Sequence, residues 1–254
     1  MPTADARYPD VLAVTPATAP VDAEVTLPGS KSYTNRALIL AALADGRSTI
    51  REALFSDDTR YMATALAQLG IDVRSREDDR CFAVDGRAGR IPAPAATLYV
   101  GNSGTSARFL TALVALGHGE YTIDGDARMR QRPIAPLLDA LAQLGIDAAS
   151  IEGSGCPPIR VRSSGLAGGE VRIAGDTSSQ YISALMMVAP LAQHGIRIII
   201  EGDLVSKPYI DLTADAMRAF GVSPVTDAYR SITVPGGRSY RACDYTVEPD
   251  ASAA

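Results

Sequence analysis

A nine-residue segment occurs twice in this chain with a single change, as ALAQLGIDV at 65–73 and ALAQLGIDA at 140–148. A weaker third copy, AMRAFGVSP, occupies 216–224. The glycine within each copy recurs after 75 and then 76 residues, at Gly70, Gly145 and Gly221. Because this period is far longer than that of a solenoid repeat, it predicts three similar subdomains that pack together.

The same order of elements surrounds each copy. A β-prone stretch opens each unit, at 23–29, 96–102 and 169–175, and a loop rich in Gly, Ser, Thr and Asn follows it. Then come an apolar helical run, a strand, a second helix that ends at the repeated glycine, and two short strands. We therefore predict an α/β fold of the α+β type. Three β-α-β-α-β-β repeats surround a pseudo-threefold axis, with the helices packed inside.

The end of the chain departs from this pattern. No linker rich in Pro, Gly and Ser separates the three units. After Gly237, however, the segment RSYRACDYTVEPDASAA leaves the third unit and ends in small residues. We expect no fold-closing element there, and the chain is expected to be cut rather than finished.

Composition argues against several functions. The net charge is −5, from 24 Lys and Arg against 29 Asp and Glu, whereas nucleic-acid-binding domains favour a basic surface. No apolar run approaches the roughly 20 residues of a membrane span, and the N-terminus lacks a secretory signal pattern. Three separated cysteines indicate free thiols in a reducing cytoplasm. Since His118 and His194 each lie beside a glycine at a predicted helix end, a histidine-based triad or metal site is not expected.

The loops before the first helix of each unit have the composition of an anion site. They read GSKSYTNRA, GNSGTSARF and GDTSSQYIS, and exposed N–H groups at a helix start attract anions. Capping alone would also explain one such loop. Three loops converging on one axis, with Lys31, Arg36 and Arg108 on the adjacent helical faces, favour a ligand instead.

Cations also occur near the starts of the second helices, where the helix dipole disfavours them. Arg60, Arg132 and Lys207 lie in comparable places, which indicates either acidic partners such as Asp57 and Asp58 or a bound anion. Arg128, Arg130 and Arg132 would share one face if extended, although a solvated basic edge is an alternative. The residues thus predict a polyanionic small molecule, to which Ser178, Ser179 and Gln180 would donate hydrogen bonds. Tyr209 would supply an aromatic wall or a phenolic donor.

Five blocks of the sequence closely resemble the 5-enolpyruvylshikimate-3-phosphate (EPSP) synthase family of enolpyruvyl transferases. They are LPGSKSYTNRAL, GNSGTSARFL, DGDARMRQRPI, GDTSSQYISALMM and SKPYIDLT. The resemblance implies an enzyme of two similar domains, each built from three such units. Residues 24–240 would form one domain, with repeats at about 24–95, 96–168 and 169–238. Residues 1–23 would belong to the other domain, and 241–254 would begin the return crossover to it.

Site residues follow from the resemblance at matching positions. It implies that Lys31 is catalytic and contacts both substrates. It implies shikimate-3-phosphate ligands at Lys31, Ser32, Arg36, Ser178, Ser179, Gln180, Ser206 and Tyr209. It implies phosphoenolpyruvate ligands at Lys31, Asn102, Gly104, Thr105, Arg128 and Gln180. The family needs no cofactor or metal and acts in the cytoplasm, in the shikimate pathway to chorismate and the aromatic amino acids. Ser103 stands where many members have alanine, at a position that bears on glyphosate sensitivity.

The family reaction adds the 5-hydroxyl of shikimate-3-phosphate to C2 of phosphoenolpyruvate while C3 gains a proton, and phosphate is then expelled. The family's proton-transferring carboxylates belong to the other domain, so we expect this chain to bind shikimate-3-phosphate weakly and to turn nothing over. Its expected partner is the C-terminal domain of the same enzyme. Helix capping is the preferred interpretation of Asp57 and Asp58. The alternatives are a non-catalytic module for a phosphorylated ligand and one half of a split enzyme.

Overall fold

Three four-stranded sheets with one shared strand order dominate the computed structural model, which describes residues 11–20 and 22–250. The first unit contains α1 (Lys31–Leu43), β1 (Asp45–Arg51), α2 (Asp57–Gln68), β2 (Asp72–Arg76) and β3 (Cys81–Arg87). The second contains β4 (Ala95–Tyr99), α3 (Gly104–Leu113), β5 (His118–Asp124), α4 (Ala135–Gln143), β6 (Asp147–Ser150) and β7 (Ile159–Ser164). The third contains β8 (Gly169–Ala174), α5 (Ser179–Val188), β9 (Ile196–Glu201), α6 (Lys207–Ala219), β10 (Val225–Asp227) and β11 (Ser231–Val234). A final strand, β12 (Asp244–Thr246), follows.

The second and third units have the same sheet topology. Their strand orders are β4-β5-β7-β6 and β8-β9-β11-β10. In each sheet the first two strands are parallel, because a helix connects them, and the remaining pairs are antiparallel. The predicted β-α-β-α-β-β order is therefore confirmed for these two units, and the mixed α/β class is confirmed for the chain.

The first unit reaches the same sheet by a different route, and here two expectations are wrong. The stretch at 23–29 forms no strand, and its only ladder contact is an isolated bridge between Gly29 and Pro249. The opening position is taken instead by β12, which pairs in parallel with β1 and places Tyr245 opposite Ile50. The segment after Gly237 therefore does contain a fold-closing element.

Burial explains why the late segment takes this position. Tyr240 and Val247, which flank β12, are 0% and 1% exposed, whereas Val25 is 72% exposed. The hydroxyl of Tyr240 donates to the backbone oxygen of Met187 at 2.8 Å, which anchors the returning chain to α5. The late segment thus buries apolar surface that the early one leaves in solvent.

The helices form the interior, as predicted. Every residue of α1 from Thr34 to Leu43 is buried, so this helix is surrounded by protein on all sides. α3 and α5 pack against each other and are buried over most of their length. A 3-10 turn extends each of them, at Val114–Leu116 and Ala189–Leu191. α2, α4 and α6 bury one face each, and the sheets cover the outside.

Among the described residues, no helix is long and apolar enough to cross a membrane. Cys81, Cys156 and Cys243 are free thiols.

Candidate functional site

The first helices of the three units begin at equivalent serines, Ser30, Ser103 and Ser178. The side chain of Ser103 accepts a hydrogen bond from the backbone N–H of Ser106 at 3.3 Å, and that of Ser178 accepts from Gln180 at 3.3 Å. The side chain of Ser30 makes no such bond. Capping therefore accounts for two of the three loops and leaves the polar composition of the first to be explained otherwise.

A cavity of about 610 Å³ lies where these helix starts converge. We call it the helix-start cavity, and all three units contribute to it. Its lining includes seven residues that the sequence predicted: Lys31, Ser32, Asn102, Gly104, Thr105, Gln180 and Tyr209. Its other lining residues are Asp57, Asp58, Tyr61, Ser103, Asp126 and Arg132. The volume suits a small-molecule ligand of the predicted kind.

Lys31 and Asp58 form an ion pair across the mouth of the cavity. Nζ of Lys31 lies 3.6 Å from Oδ2 of Asp58, and Oγ of Ser103 donates to Oδ1 of the same carboxylate at 2.7 Å. Ser106 Oγ also donates to the backbone oxygen of Asp58, at 3.2 Å. Asp58 thus joins the first and second units, so the capping interpretation of this residue is incomplete.

Two arginines lie side by side at the start of α3. Arg108 donates to Oε1 of Gln180 at 2.7 Å, and Arg132 donates to the backbone oxygen of Asn102 at 2.9 Å. A Cβ built on Gly104 would overlap both guanidinium groups, so the glycine is what lets them approach the helix end. Burial, and then the charge of Arg108, lower the pKa of Arg132.

These two arginines make no ion pair with the described residues, whereas most of the other arginines in that part of the chain do. Neighbouring like charges at a helix N-terminus repel one another and are stabilised by an anion between them. The arrangement can therefore bind a phosphate or carboxylate in bidentate fashion. Of the predicted arginines, Arg132 lines the cavity, whereas Arg108 and Arg128 do not.

Arg36 is not at the cavity surface. It is 1% exposed and donates to Oγ1 of Thr213 at 2.7 Å, to Oγ of Ser183 at 3.2 Å and to the backbone oxygen of Ser32 at 3.1 Å. Burial lowers the pKa of Arg36 to about 10. Its guanidinium also lies 5.1 Å from the ring centre of Phe109. Arg36 therefore holds α1, α5 and α6 together beneath the cavity floor.

The basic segment 128–132 is folded and not extended, so its three arginines do not share a face. Met129–Gln131 form a 3-10 turn, and Asp126 Oδ1 accepts from the backbone N–H groups of Arg128 and Met129. Arg130 pairs with Asp124 at 2.6 Å. Arg128 is exposed and lies outside the cavity lining. The Asx-type turn at Asp126 is the physical reason for the difference.

The other predicted cations and serines do not line the cavity. Arg60 makes a two-point ion pair with Glu77 at 3.0 and 2.8 Å. Of the two explanations for a cation at this helix start, an acidic partner or a bound anion, the first therefore applies to Arg60. Lys207 lies 5.7 Å from the ring centre of Tyr229. Ser179 is buried in the first turn of α5, and Ser206 is exposed at the start of α6.

Sequence reasoning missed Tyr61 and Asp126 as lining residues. Tyr61 packs edge-on against Tyr99, with 5.8 Å between ring centres, and covers Gly101. Neither residue belongs to a polar loop at a helix start, and those loops carry the sequence pattern that indicates the site. The positive φ of 53° at Gly101 is a glycine conformation that accompanies the close approach of the Tyr61 ring. Within residues 11–20 and 22–250, no cluster of three or more His, Cys, Asp or Glu side chains could hold a metal ion.

The fold and this interior-helix arrangement define the class of protein. The structure superposes on two solved structures of EPSP synthase from Acinetobacter baumannii, each with a TM-score of 0.80, 24% identity, 90% of this chain and 50% of that chain covered. At this identity the likeness establishes the EPSP-synthase fold and nothing further.

Sequence comparison identifies the family itself. The family model of EPSP synthase (3-phosphoshikimate 1-carboxyvinyltransferase) matches residues 16–254. The 3-phosphoshikimate 1-carboxyvinyltransferases of Shewanella piezotolerans and Shewanella pealeana are each 47% identical over 236 residues. The chain belongs to the EPSP synthase family. The matches cover 92% of this chain and 55% of each relative, so the chain spans about half the length of these curated relatives.

Proposed function

We propose that this chain is the shikimate-3-phosphate-binding half of a 3-phosphoshikimate 1-carboxyvinyltransferase. The complete enzyme would transfer the enolpyruvyl group of phosphoenolpyruvate to the 5-hydroxyl of shikimate-3-phosphate, in the shikimate pathway to chorismate. One observation carries the proposal. The helix starts of all three units converge on one cavity of about 610 Å³, where Lys31, Arg132 and neutral donors lie beside three aspartates, one of which is paired with Lys31.

Residue roles are proposed at the positions implied by the family. Lys31, Asn102, Gly104, Thr105, Gln180 and Arg128 would bind phosphoenolpyruvate. The geometry adds Arg132, which lines the cavity, and Arg108, which lies beside Arg132 at Gly104 without lining it. Lys31, Ser32, Arg36, Ser178, Ser179, Gln180, Ser206 and Tyr209 would bind shikimate-3-phosphate. Of the two sets, the residues that line the cavity are supported by position, and Arg36 would act from beneath its floor.

The chemistry requires charge stabilisation and proton transfer. The substrate's 5-oxygen forms a bond to C2 of phosphoenolpyruvate, its proton is removed, and C3 gains a proton. The tetrahedral intermediate then loses phosphate, and the proton taken up at C3 is returned. Lys31 and the arginine pair would stabilise the phosphate that leaves. The proton-transferring carboxylates are proposed to lie in the C-terminal domain, which would be this chain's partner.

A phosphate-release assay tests this assignment. The 254-residue chain is mixed with phosphoenolpyruvate and shikimate-3-phosphate, with and without a separately produced C-terminal half of a relative. We expect no turnover by the chain alone and measurable turnover in the mixture. Turnover by the chain alone would contradict the proposal that essential groups lie elsewhere. The absence of shikimate-3-phosphate binding at millimolar concentration in calorimetry would contradict the binding assignment.

Arg128→Ala tests the role that the family implies for an exposed arginine. In the active mixture we expect KM for phosphoenolpyruvate to rise about tenfold, because one charge-assisted contact is lost. The unfolding midpoint of the chain should not change, since Arg128 is exposed. Arg230→Gln serves as the control, because Arg230 is exposed and does not line the cavity.

A further inference from the structure

A second cavity, of about 670 Å³, lies at the opposite end of the central helices. We call it the distal cavity. It is an open cleft bordered by the loop 87–92, the loop 164–166 and the segments 116–118 and 191–193 that follow α3 and α5. Ten helical residues of α3 and the three of its 3-10 turn separate the two cavities by about 20 Å. The distal cavity is therefore separate from the helix-start cavity.

The distal cavity carries positive charge with no opposing carboxylate. Arg87 and Arg90 line it, and neither side chain makes a hydrogen bond or ion pair with the described part of the chain. Asp45 is the cross-strand neighbour of Arg87, yet no ion pair joins them. None of the described lining residues is acidic, although the chain has 29 Asp and Glu and a net charge of −5. This local excess of cations favours an anionic ligand.

The remaining lining divides into an apolar wall and two polar side chains. Ile91, Leu116, Leu166 and Leu191 supply the apolar side, and His118 and Gln193 are polar groups with no side-chain partner among the described residues. A bare inorganic anion would leave this wall in water. A carboxylate attached to an apolar body would satisfy both the arginines and the wall.

The walls are held in place by backbone hydrogen bonds, one within the first unit and one between the second and third units. Ala88 N–H donates to the oxygen of Ala44 at 2.9 Å, and Gln193 N–H donates to that of Leu166 at 3.2 Å. Gly89, at a φ of 79°, lies so close to Leu191 that a Cβ there would come within 2.7 Å of its Cδ2. Because the loops are already ordered, a ligand would lose little free energy in organising the cavity.

From these observations we propose that the distal cavity binds a small organic carboxylate with an apolar body, through Arg87 and Arg90. The site goes beyond the proposed transferase function and does not depend on it. Ligands of this class are small aromatic or branched aliphatic acids, whose carboxylate can accept two hydrogen bonds from one guanidinium.

The test uses benzoate as the probe and the 254-residue chain labelled with ¹⁵N for NMR. We expect benzoate to shift the amide signals of Gly89, Ile91 and Leu166 in a saturable way at millimolar concentration. Benzamide, which has the same shape without the charge, should bind at least about tenfold more weakly. Inorganic phosphate tests the requirement for an apolar body and should also bind more weakly.

Variants then assign the contact. Arg90→Gln and the double variant with Arg87→Gln should weaken benzoate binding by about tenfold or more, while Arg230→Gln should leave it unchanged. Retained amide dispersion in the variants shows that they are folded. Equal binding of benzoate and benzamide, shifts confined to the helix-start cavity, or no saturable shift would each overturn the proposal. So would stronger binding of phosphate than of benzoate.

Discussion

The guanidinium of Arg36 lies in the interior of the protein, where α1, α5 and α6 meet. Such a charge is tolerated because hydroxyl and backbone oxygens surround it, at 2.7 Å from Thr213 and 3.2 Å from Ser183. The ring centres of Phe109 and Tyr209 lie 5.1 and 5.9 Å from Cζ of Arg36, so both rings add a cation–π contact. This residue organises the floor beneath the helix-start cavity.

Replacing Arg36 should therefore destabilise the chain. We expect Arg36→Ala to lower the free energy of unfolding by about 3 kcal/mol or more, because it opens a cavity and removes several charged hydrogen bonds. Arg128→Ala, at an exposed position, should change it by about 0.5 kcal/mol or less. Urea denaturation of both variants measures the difference. Equal midpoints would contradict the structural role of Arg36.

Gly104 permits a second prediction at this scale. In Gly104→Ala the new Cβ displaces the guanidinium groups of Arg108 and Arg132, whose nearest atoms are flexible side-chain ends. Because alanine favours a helix over glycine, stability should be unchanged or raised by up to about 1 kcal/mol. Phosphoenolpyruvate binding, followed by NMR titration of the chain, should weaken about tenfold. Weaker binding together with lost stability would instead indicate general unfolding.

At the scale of elements, β12 determines whether the first sheet is complete. The backbone N–H of Val247 donates to the oxygen of Arg51 at 2.9 Å, and Thr49 N–H donates to the oxygen of Cys243 at 3.1 Å. These bonds cover the edge of β1, which would otherwise expose unpaired groups. The strand is short, but its flanking side chains are buried, so packing holds it in register.

A matched pair of proline variants tests this arrangement. Val247→Pro removes the donor to Arg51 and disturbs a residue that is 1% exposed, so it should lower the free energy of unfolding by about 3 kcal/mol. Val25→Pro makes the same change at a position that is 72% exposed and in no strand, and should cost about 0.5 kcal/mol or less. Thermal or urea unfolding distinguishes them. A similar loss of unfolding free energy in both variants would argue against the pairing of β12 with β1.

The turn after β5 contains an ion pair that should respond to pH. Burial alone would raise the pKa of Asp124, but hydrogen bonds from Arg130 and from the N–H of Gly125 outweigh it and hold the pKa below its ordinary value. A carboxylate with a depressed pKa in the folded state releases its proton more readily there than when unfolded. Its contribution is therefore fully present above the ordinary pKa, about 3.9, and is lost as pH falls through the lower folded value.

Asp124→Asn measures this contribution. We expect the variant to be less stable than the parent chain by about 1 kcal/mol at pH 7, since Arg130 is half exposed. The gap between the two urea midpoints should narrow steadily below about pH 4. A gap that stays constant from pH 7 to the acid limit of folding would show that charge plays no part.

At the scale of the whole molecule, three units that fold alike perform different tasks. The first supplies Lys31 and Asp58, the second supplies Gly104 and Arg132, and the third supplies Gln180 and Tyr209. A site on a pseudo-threefold axis needs all three units at once, so binding should depend on cooperative folding of the whole. Ligand binding should then stabilise the entire chain.

Shikimate-3-phosphate should accordingly raise the unfolding temperature of the 254-residue chain. At ten times its dissociation constant the expected gain is about 1.4 kcal/mol, because only the folded state has the cavity. Differential scanning calorimetry should show one transition that moves as a whole. Shikimate without phosphate is the control and should shift it less. A split transition, with one unit unaffected, would contradict the shared site.

The sequence by itself determined the repeat and the order of elements in the second and third units, and its resemblance to the EPSP synthase family implied the seven predicted residues that line the helix-start cavity. The element order is readable from the sequence because hydrophobic period, glycine ends and polar helix starts act over a few residues. The sequence also indicated the positively charged helix starts.

Only the tertiary structure decided which distant segments meet. It placed β12 beside β1 where 23–29 was expected, buried Arg36, brought Asp58 to Lys31, and put Arg132 rather than Arg128 against Gly104. The physical reason is the same in each case. Burial and ion pairing depend on neighbours that are far apart in the chain, and no periodic pattern within one unit encodes them.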